Sequence, residues 1–272
     1  MTNFKFLNLD SAASNCTYST NQTYSTYAIN SANANYPNSF NSVFTLQTPV
    51  VNAKRMWLKS IELPVGFPNI RAYNGSSTIT LSTAQNGSGT NYTITLPDKI
   101  YNSTKLLLDD INAAFIAAYP SIYIAVFAFN TTTGLIQLDA EPSILLFPKG
   151  IFIQPNILVN TILGFPTSYT TNSLIRDATK MYILNADLYI TLYLPGLSSD
   201  NVNASGIPSS FKIPLPVPSG GILFGASNLS YDSCINLTNT SIGSITCVIK
   251  DRFGYSVSSR GLDFSCTLAF EF

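Results

Sequence analysis

The sequence predicts a mainly β protein, folded as a β-sandwich or jelly roll that carries a small inserted α+β unit. Short segments in which apolar and polar residues alternate recur along the chain, separated by clusters of turn-forming residues. One segment has the clear spacing of an amphipathic helix. Of the 272 residues, 46% are hydrophobic and 10% are charged, so the chain has enough apolar residues to build a large core.

The first 71 residues divide into an arm and the first strands of the sandwich. Residues 1–38 are polar and aromatic without a sustained period, which predicts an N-terminal arm that a neighbouring chain orders, or a plain disordered terminus. Alternating apolar residues then predict strands over 40–46 and 55–63. Pro64 and Pro68 end the second strand and begin a turn-rich crossing.

Residues 72–170 have a different pattern and are predicted to form an insertion domain. A helical spacing begins at Leu107 and Ile111, and Ser103 or Thr104 is available to cap this helix. Strands are predicted near Ile79 and over 92–96, 123–129 and 135–138. The unit is therefore expected to have the order β-β-α-β-β, with the helix packed on a small sheet.

The alternating β pattern returns after Asp177 and continues to the last residue. Together with residues 39–71, the stretch 171–272 is predicted to form the jelly-roll domain. Pro214 and Pro216 cannot donate hydrogen bonds to a sheet, so the strand around them is expected at an edge or to be irregular. Further strands are predicted over 188–194, 233–237, 244–250, 255–258 and 262–272.

The residue types of catalytic and metal sites are scarce. The chain has no histidine, which removes the usual general base and the commonest metal ligand. Asp109 and Asp110 are adjacent, so on a helix they diverge by about 100° and do not form a catalytic pair by themselves. The sequence has no Asp-x-Asp-x-Asp calcium pattern and no phosphate loop. We therefore expect no enzymatic activity, no catalytic residues, no cofactor and no metal site.

The four cysteines, Cys16, Cys234, Cys247 and Cys266, contain no Cys-x-x-Cys pair. Cys247 and Cys266 share strand faces with apolar neighbours, which predicts small buried side chains. A disulfide between Cys247 and Cys266 stays open if their strands pair, although the sequence indicates no oxidising compartment.

The charge balance bears on the kind of partner. Fourteen Lys and Arg residues balance fourteen Asp and Glu residues. A net charge of zero provides no broad basic field for nucleic acid, and it gives little repulsion between copies of the chain. No window approaches the roughly 20 apolar residues of a membrane span, and the first residues lack the apolar core of a secretory signal. We expect a protein that assembles, without a membrane span or a specific nucleic-acid partner.

Arg55, Trp57 and Lys59 are the candidate subunit-interface residues. They alternate along one strand and are therefore expected on one face. Charges along a strand are typical of an edge strand or of a strand that faces another subunit. Trp57 is either a tryptophan at the border of the core or the anchor of an interface. The sequence leaves this choice open.

Blocks of sequence along most of the chain resemble a known family in their order. The blocks are 7–11, 36–40, 44–46, 54–64, 67–71, 94–97, 107–115, 133–136, 163–165, 249–254, 261–264 and 268–272. They are similar to the penton (minor capsid) proteins of virophages, polinton-like elements and related large double-stranded DNA viruses. Each block is moderately specific, and their common order is the stronger part of the resemblance.

The resemblance implies a single jelly roll that assembles as a homopentamer at the five-fold vertices of an icosahedral capsid. Double jelly-roll major capsid proteins would surround it, and its role would be structural. It also implies a location in the virion, with assembly inside the host cell, in the cytoplasm. The inserted unit is expected to project from the jelly roll, where it could contact a host receptor.

A second hypothesis from another class is a carbohydrate-binding or receptor-binding β-sandwich module. Tyrosines and asparagines in loops are common in recognition surfaces. In this hypothesis Tyr73, Tyr92 and Tyr123 stack on sugar rings. The composition alone does not distinguish this module from a capsid protein.

Overall fold

The computed structural model describes residues 4–13, 16–18, 40–72, 75–83, 89–120, 126–139, 152–166, 175–184, 187–197, 209–216, 221–225, 234–238, 241–257, 259 and 261–272.

The chain divides into two compact units. The first unit combines Met1–Phe67 with Asp187–Phe272, and the second is Pro68–Ala186. The insertion limits expected from the sequence, 72–170, lie inside the second unit.

The chain begins in the first unit, passes through the second and returns to the first. The first unit begins with β1 (Phe4–Asp10), β2 (Cys16–Tyr18), β3 (Asn41–Val51) and β4 (Arg55–Pro64). The second unit contains β5 (Thr78–Ser82), β6 (Asn91–Thr95), α1 (Thr104–Ala118), β7 (Val126–Asn130), β8 (Leu135–Asp139), β9 (Phe152–Ile153), a short π-helix (Ile157–Ile162) and β10 (Ile175–Asp177). The first unit resumes with β11 (Tyr189–Tyr193), β12 (Phe211–Pro214), β13 (Ile222–Gly225), β14 (Ile235–Asn236), β15 (Ser241–Asp251) and β16 (Ser265–Glu271).

The strands of the first unit form two antiparallel sheets. The first sheet has the order β1-β16-β4-β13, and β14 also pairs with β4. The second sheet has the order β12-β11-β15-β3-β2. The chain changes sheet between β1 and β2, between β3 and β4, between β12 and β13, between β14 and β15, and between β15 and β16, as expected for a double-sheet jelly roll. β12, which contains Pro214, is an edge strand as predicted.

Alternation along these strands builds the core of the sandwich. Inward-facing residues of both sheets are buried, among them Ile61, Leu63, Ile190, Leu192, Ile245, Ile249, Leu268 and Phe270. The ring of Phe264 meets those of Phe40 and Phe44 edge-on, at centroid distances of 6.0 and 6.2 Å. The predicted class, a mainly β jelly-roll sandwich with an inserted α+β unit, is confirmed.

The second unit has the predicted order of elements, but it contains two sheets. Ser103 caps α1 by accepting the N–H of Leu106 at 3.2 Å, as the sequence indicated. On the buried side of α1, Phe115 stacks on Phe127 of β7 at 6.3 Å. One sheet has the order β6-β5-β9, and the other has the order β10-β8-β7. The sequence indicated one small sheet because alternation identifies strands but does not reveal which strands pair. The short strands β9 and β10 were also missed, since they lack a clear alternating pattern.

Part of the predicted N-terminal arm belongs to the sheets. β1 pairs with β16 along its whole length, from Phe4 opposite Glu271 to Asp10 opposite Ser265. β2 pairs with β3. Leu9 is buried in the sandwich core, so β1 has an inward face that the polar surroundings concealed. Residues 1–3, 14–15 and 19–38 of the predicted arm lie outside the described residues.

Cys247 and Cys266 are buried and are free thiols. A disulfide between them was expected only if their strands paired. Their strands, β15 and β16, belong to different sheets and do not pair. The thiol of Cys247 instead hydrogen-bonds to Cys266, and this contact together with burial raises the pKa of Cys247 well above its ordinary value. A raised pKa keeps Cys247 in the thiol form.

Two features of the described part of the chain bear on membranes and metal ions: the length and apolar character of its helices, and the grouping of side chains that could bind a metal. None of its helices combines the length and the apolar character needed to cross a lipid bilayer. Within the same residues, His, Cys, Asp and Glu side chains form no group of three or more that could hold a metal ion.

Candidate interaction surface

β4 presents its charged residues on the outward face of the first sheet. Met56 and Leu58 point into the core, while Arg55 is exposed and Trp57 is half-buried on the opposite face. The prediction of an edge strand is wrong for β4, because β16 pairs on one side of it and β13 and β14 on the other. A central strand accommodates these charges since the outward face of this sheet is open to solvent at Arg55.

Two rows of side chains cross this face. Strand register places Phe4 opposite Glu271, and Glu271 opposite Arg55. The next row along the strands holds Phe6, Ala269 and Trp57, in the same order of strands. Side chains in such rows lie close enough to contact one another.

Two aromatic rings meet above β16, because Ala269 on this strand has a small side chain. The rings of Phe4 and Trp57 have centroids 5.8 Å apart and are inclined by 59°. Ala269 lies on the outward face and is nevertheless 0% exposed. Phe4 and Phe6 remain 51% and 61% exposed. Part of the aromatic area is therefore available to a partner.

The cation of this face has its counter-ion. Nη2 of Arg55 donates a hydrogen bond to Oε1 of Glu271 at 2.8 Å, and the guanidinium carbon lies 5.5 Å from the centre of the Trp57 ring. The carboxylate of Glu271 raises the pKa of Arg55 through their hydrogen bond, which favours the charged guanidinium. The face therefore combines exposed aromatic area with a neutralised ion pair.

Lys59 is separated from this arrangement by an irregularity in the sheet. The pairing of β4 with β16 shifts register between Leu58 and Ser60, so Lys59 is the extra residue of a bulge. Its side chain is half-buried. The structure thus brings Arg55 and Trp57 together and places Lys59 at the bulge.

The structure adds four residues to the candidate set. We call Phe4, Phe6, Arg55, Trp57, Ala269 and Glu271 the aromatic face. The sequence contains a partial signal for it, since Phe4 and Phe6 alternate with Lys5 and Leu7, but the polar arm that follows obscured the strand. On β13, at the opposite edge of the sheet, Ile222 and Phe224 are also exposed. Apolar side chains therefore lie on the strands at both edges of the outward face.

The carboxylates that could suggest catalysis have structural partners. Asp109 pairs with Lys105 at 2.6 Å, one helical turn earlier. Asp110 accepts hydrogen bonds from Lys99 at 2.7 Å and from the hydroxyl of Tyr101 at 2.9 Å. The hydrogen bond from Lys99 is the main cause that lowers the pKa of Asp110. Each aspartate is held by its own lysine, so the two do not act as a pair.

Of the three tyrosines in the sugar-binding hypothesis, the structure describes Tyr92. Tyr92 is buried in the second unit, and its ring packs edge-on against Tyr119 with centroids 5.3 Å apart. A buried ring cannot stack on a sugar, so the role expected for Tyr92 is wrong. Tyr73 and Tyr123 lie outside the described residues.

The whole fold is similar to that of a solved protein, the selenomethionine-labelled mavirus penton protein. The likeness covers 98% of this chain and 99% of that chain, with a TM-score of 0.51 and 11% sequence identity. No protein-family model matches the chain, and no curated protein sequence matches it. At this identity the likeness shows a shared fold.

Proposed function

We propose that this chain is a penton protein, a structural capsid protein that forms homopentamers at the five-fold vertices of an icosahedral virus particle. The observation that carries the proposal is the extent of the likeness to the mavirus penton protein, which includes both units of this chain. A jelly roll alone would support many functions. A likeness that covers 98% of this chain, and so extends over its second unit as well as its jelly roll, is a narrower match.

The aromatic face is the contact that we assign to this assembly. A contact between two different surfaces, repeated by a five-fold rotation, closes a ring of five chains. Exposed Phe4 and Phe6 beside Trp57 supply the aromatic anchors that are common at the centres of protein interfaces. Because Arg55 already has Glu271 as its counter-ion, burying it in the contact leaves no unpaired charge.

The proposed role defines the other partners. Double jelly-roll major capsid proteins surround the pentamer in the particle, and the second unit is the part available to a host receptor. The protein acts in the virion after assembly in the host cytoplasm. Its mechanism is geometric and involves no catalysis.

The test is the mass of the purified chain in solution, measured by light scattering and native mass spectrometry over a range of concentrations and salts. We expect a discrete species of five chains, with five-fold symmetry in electron micrographs. A discrete dimer or trimer contradicts the proposal. A chain that stays monomeric at every concentration, alone and mixed with the major capsid protein, contradicts it as well.

A further inference from the structure

The outward face of the second sheet carries a compact cluster of polar residues. Ile190 and Leu192 of β11 are buried in the core, so Tyr189, Thr191 and Tyr193 point outward. Thr191 lies at the centre of the cluster, with one tyrosine on each side of it along the strand.

Two lysines flank Thr191 across the sheet. Register places Lys212 of β12 opposite Thr191 on one side and Lys250 of β15 opposite it on the other. The Nζ atom of Lys212 lies 4.4 Å from the centre of the Tyr189 ring, and that of Lys250 lies 4.2 Å from the centre of the Tyr193 ring. Each ammonium group therefore rests on an aromatic face.

Within the described part of the chain, neither lysine has a carboxylate partner. Asp251 follows Lys250 directly but lies on the other face of the strand, where it accepts the N–H groups of Phe253 and Tyr255 at 2.9 and 3.0 Å. A tyrosine ring attracts a cation but does not replace a hydrogen-bonding anion. The two ammonium groups therefore keep unused donors.

Thr191 supplies a third unused donor. It is 1% exposed, and its Oγ1 atom has no hydrogen-bond partner among the described residues. A buried hydroxyl without a partner is unfavourable and uncommon in folded proteins. Burial also lowers the pKa of Lys250, as expected for an ammonium group that is partly removed from water.

We propose that Lys212, Thr191 and Lys250 form a binding site for a carboxylate group, presented by an aspartate or glutamate side chain of another protein chain. A carboxylate has two oxygens that accept several hydrogen bonds, so it can accept from both ammonium groups and from the hydroxyl. The Cα atoms of the two lysines are about 10 Å apart, two strand spacings, and both long side chains can turn from their tyrosines onto one group between them.

A protein carboxylate fits the cluster better than a nucleic-acid phosphate. Nucleic-acid surfaces carry many lysines and arginines that follow successive phosphates. Here two lysines stand among tyrosines, in a chain whose positive and negative residues balance. Few charges among aromatic side chains are typical of protein interfaces. The site goes beyond the proposed pentamer and does not depend on it.

The test uses the full chain with its lysines labelled as ¹³C-dimethyl-lysine, which keeps their charge, and follows each lysine signal by NMR. The probe is a capped peptide that alternates glutamate and serine over eight residues, and the matched control peptide has glutamine in place of glutamate. We expect saturable shifts of the Lys212 and Lys250 signals with the glutamate peptide and none with the glutamine peptide. The signals are assigned by replacing each lysine in turn with arginine.

Variants measure the part played by each donor. Lys212→Met and Lys250→Met are each expected to raise the Kd for the glutamate peptide about tenfold, the loss of one charge-assisted hydrogen bond. Thr191→Val is expected to weaken binding, whereas Thr191→Ser, which keeps the hydroxyl, retains it. The control Lys105→Met removes a lysine that already pairs with Asp109 and is expected to bind normally.

Several results would overturn the proposal. Absent shifts, or equal shifts of all lysine signals, would show that the cluster is not a site. Tighter binding of a twenty-nucleotide oligothymidylate at the same two lysines would show that the ligand is a nucleic-acid phosphate. Unchanged affinity of a folded Thr191→Val variant would remove the hydroxyl from the site.

Discussion

The outer faces of the two sheets of the sandwich both place cations against aromatic rings, but they differ in whether a carboxylate lies beside the cation. On the first sheet, Arg55 lies beside Trp57 and is neutralised by Glu271 within the same chain. On the second sheet, Lys212 and Lys250 lie on tyrosine rings and have no acidic partner among the described residues. The same kind of contact, a cation on an aromatic ring, therefore includes a carboxylate on one face and, among the described residues, none on the other.

This difference indicates what each face gains from a partner. The aromatic face has its ion pair in place, so a partner stabilises it mainly by covering the apolar rings of Phe4, Phe6 and Trp57. The face around Thr191 gains from an acceptor for its unused donors. We therefore expect the first contact to depend on shape and area, and the second to depend on charge and salt concentration.

The largest effect expected is the loss of assembly when the aromatic face is changed. Arg55→Glu places a second carboxylate beside Glu271, and Trp57→Ala removes the central ring. We expect the double variant to lose the species of five chains completely in native mass spectrometry, while circular dichroism shows that the sheets are retained. An intact pentamer in the folded double variant would show that the aromatic face is not the subunit contact.

A matched control lies on the helix of the second unit. Lys105→Glu reverses an exposed charge, and Ile116→Ala shortens an exposed apolar side chain, so the pair repeats the charge reversal and also removes exposed apolar area. We expect this variant to assemble like the unchanged chain. If it also fails to assemble, the effect of the first variant is not specific to the aromatic face.

The sequence predicted the strands of both faces better than it predicted which strands pair with one another. Alternation identified the strands that carry Arg55, Trp57 and Lys250, because alternate positions are buried in one core. It could not identify β4 as a central strand, since pairing partners come from residues more than 150 positions away in the chain. The partners of Arg55, namely Glu271 and the ring of Trp57, follow from that pairing together with the alternation.

Two further features depended on long-range pairing that no local pattern contains. β1 was predicted as part of a polar arm because its outward residues include Phe4 and Phe6, which break the usual contrast between an apolar and a polar face. Thr191 lies within an alternating strand, and nothing in the sequence indicated that Lys212 and Lys250 flank it. Strand order across a sheet must be known before such clusters can be recognised.

The next largest effect is a change in the free energy of unfolding when the small buried residue at the centre of each face, Ala269 or Thr191, is replaced. Ala269→Leu adds atoms where the rings of Phe4 and Trp57 meet, and overpacking of this kind costs about 1–3 kcal/mol. Thr191→Val removes a buried hydroxyl without a partner at nearly constant shape, so we expect it to be neutral or stabilising. Urea unfolding measures both. A loss of stability in Thr191→Val equal to that in Ala269→Leu would show that its hydroxyl is satisfied in solution.

A smaller effect is expected when one aromatic partner of Trp57 is removed. Phe4→Ala takes away a ring contact worth roughly 0.5–1.5 kcal/mol and exposes the indole to water. Because Trp57 is the only tryptophan, its fluorescence reports on this face alone. We expect a shift of the emission to longer wavelength and faster quenching by acrylamide, whereas Lys212→Met on the other sheet leaves both unchanged. Emission unchanged by Phe4→Ala would argue that the two rings are not in contact in solution.

The smallest effect expected is a dependence of stability on pH that arises from Lys250. Burial lowers the pKa of Lys250 in the folded chain, whereas in the unfolded chain it is about 10.4. Between these two values the unfolded chain binds more protons, so stability rises with pH through this window, and below it the cost of the desolvated ammonium is present in full. Lys250→Met is expected to remove this rise, as measured by urea unfolding at a series of alkaline pH values.

The same titration distinguishes an empty site from an occupied one. A bound carboxylate favours the charged ammonium and raises the pKa of Lys250, so saturating glutamate peptide is expected to abolish the rise in stability that the Lys250→Met variant also lacks. On the first sheet, Glu271 already provides such a carboxylate to Arg55. The peptide would thus give the second face the counter-ion that the first face has within the chain. If the rise persists when the peptide is saturating, the carboxylate does not contact Lys250.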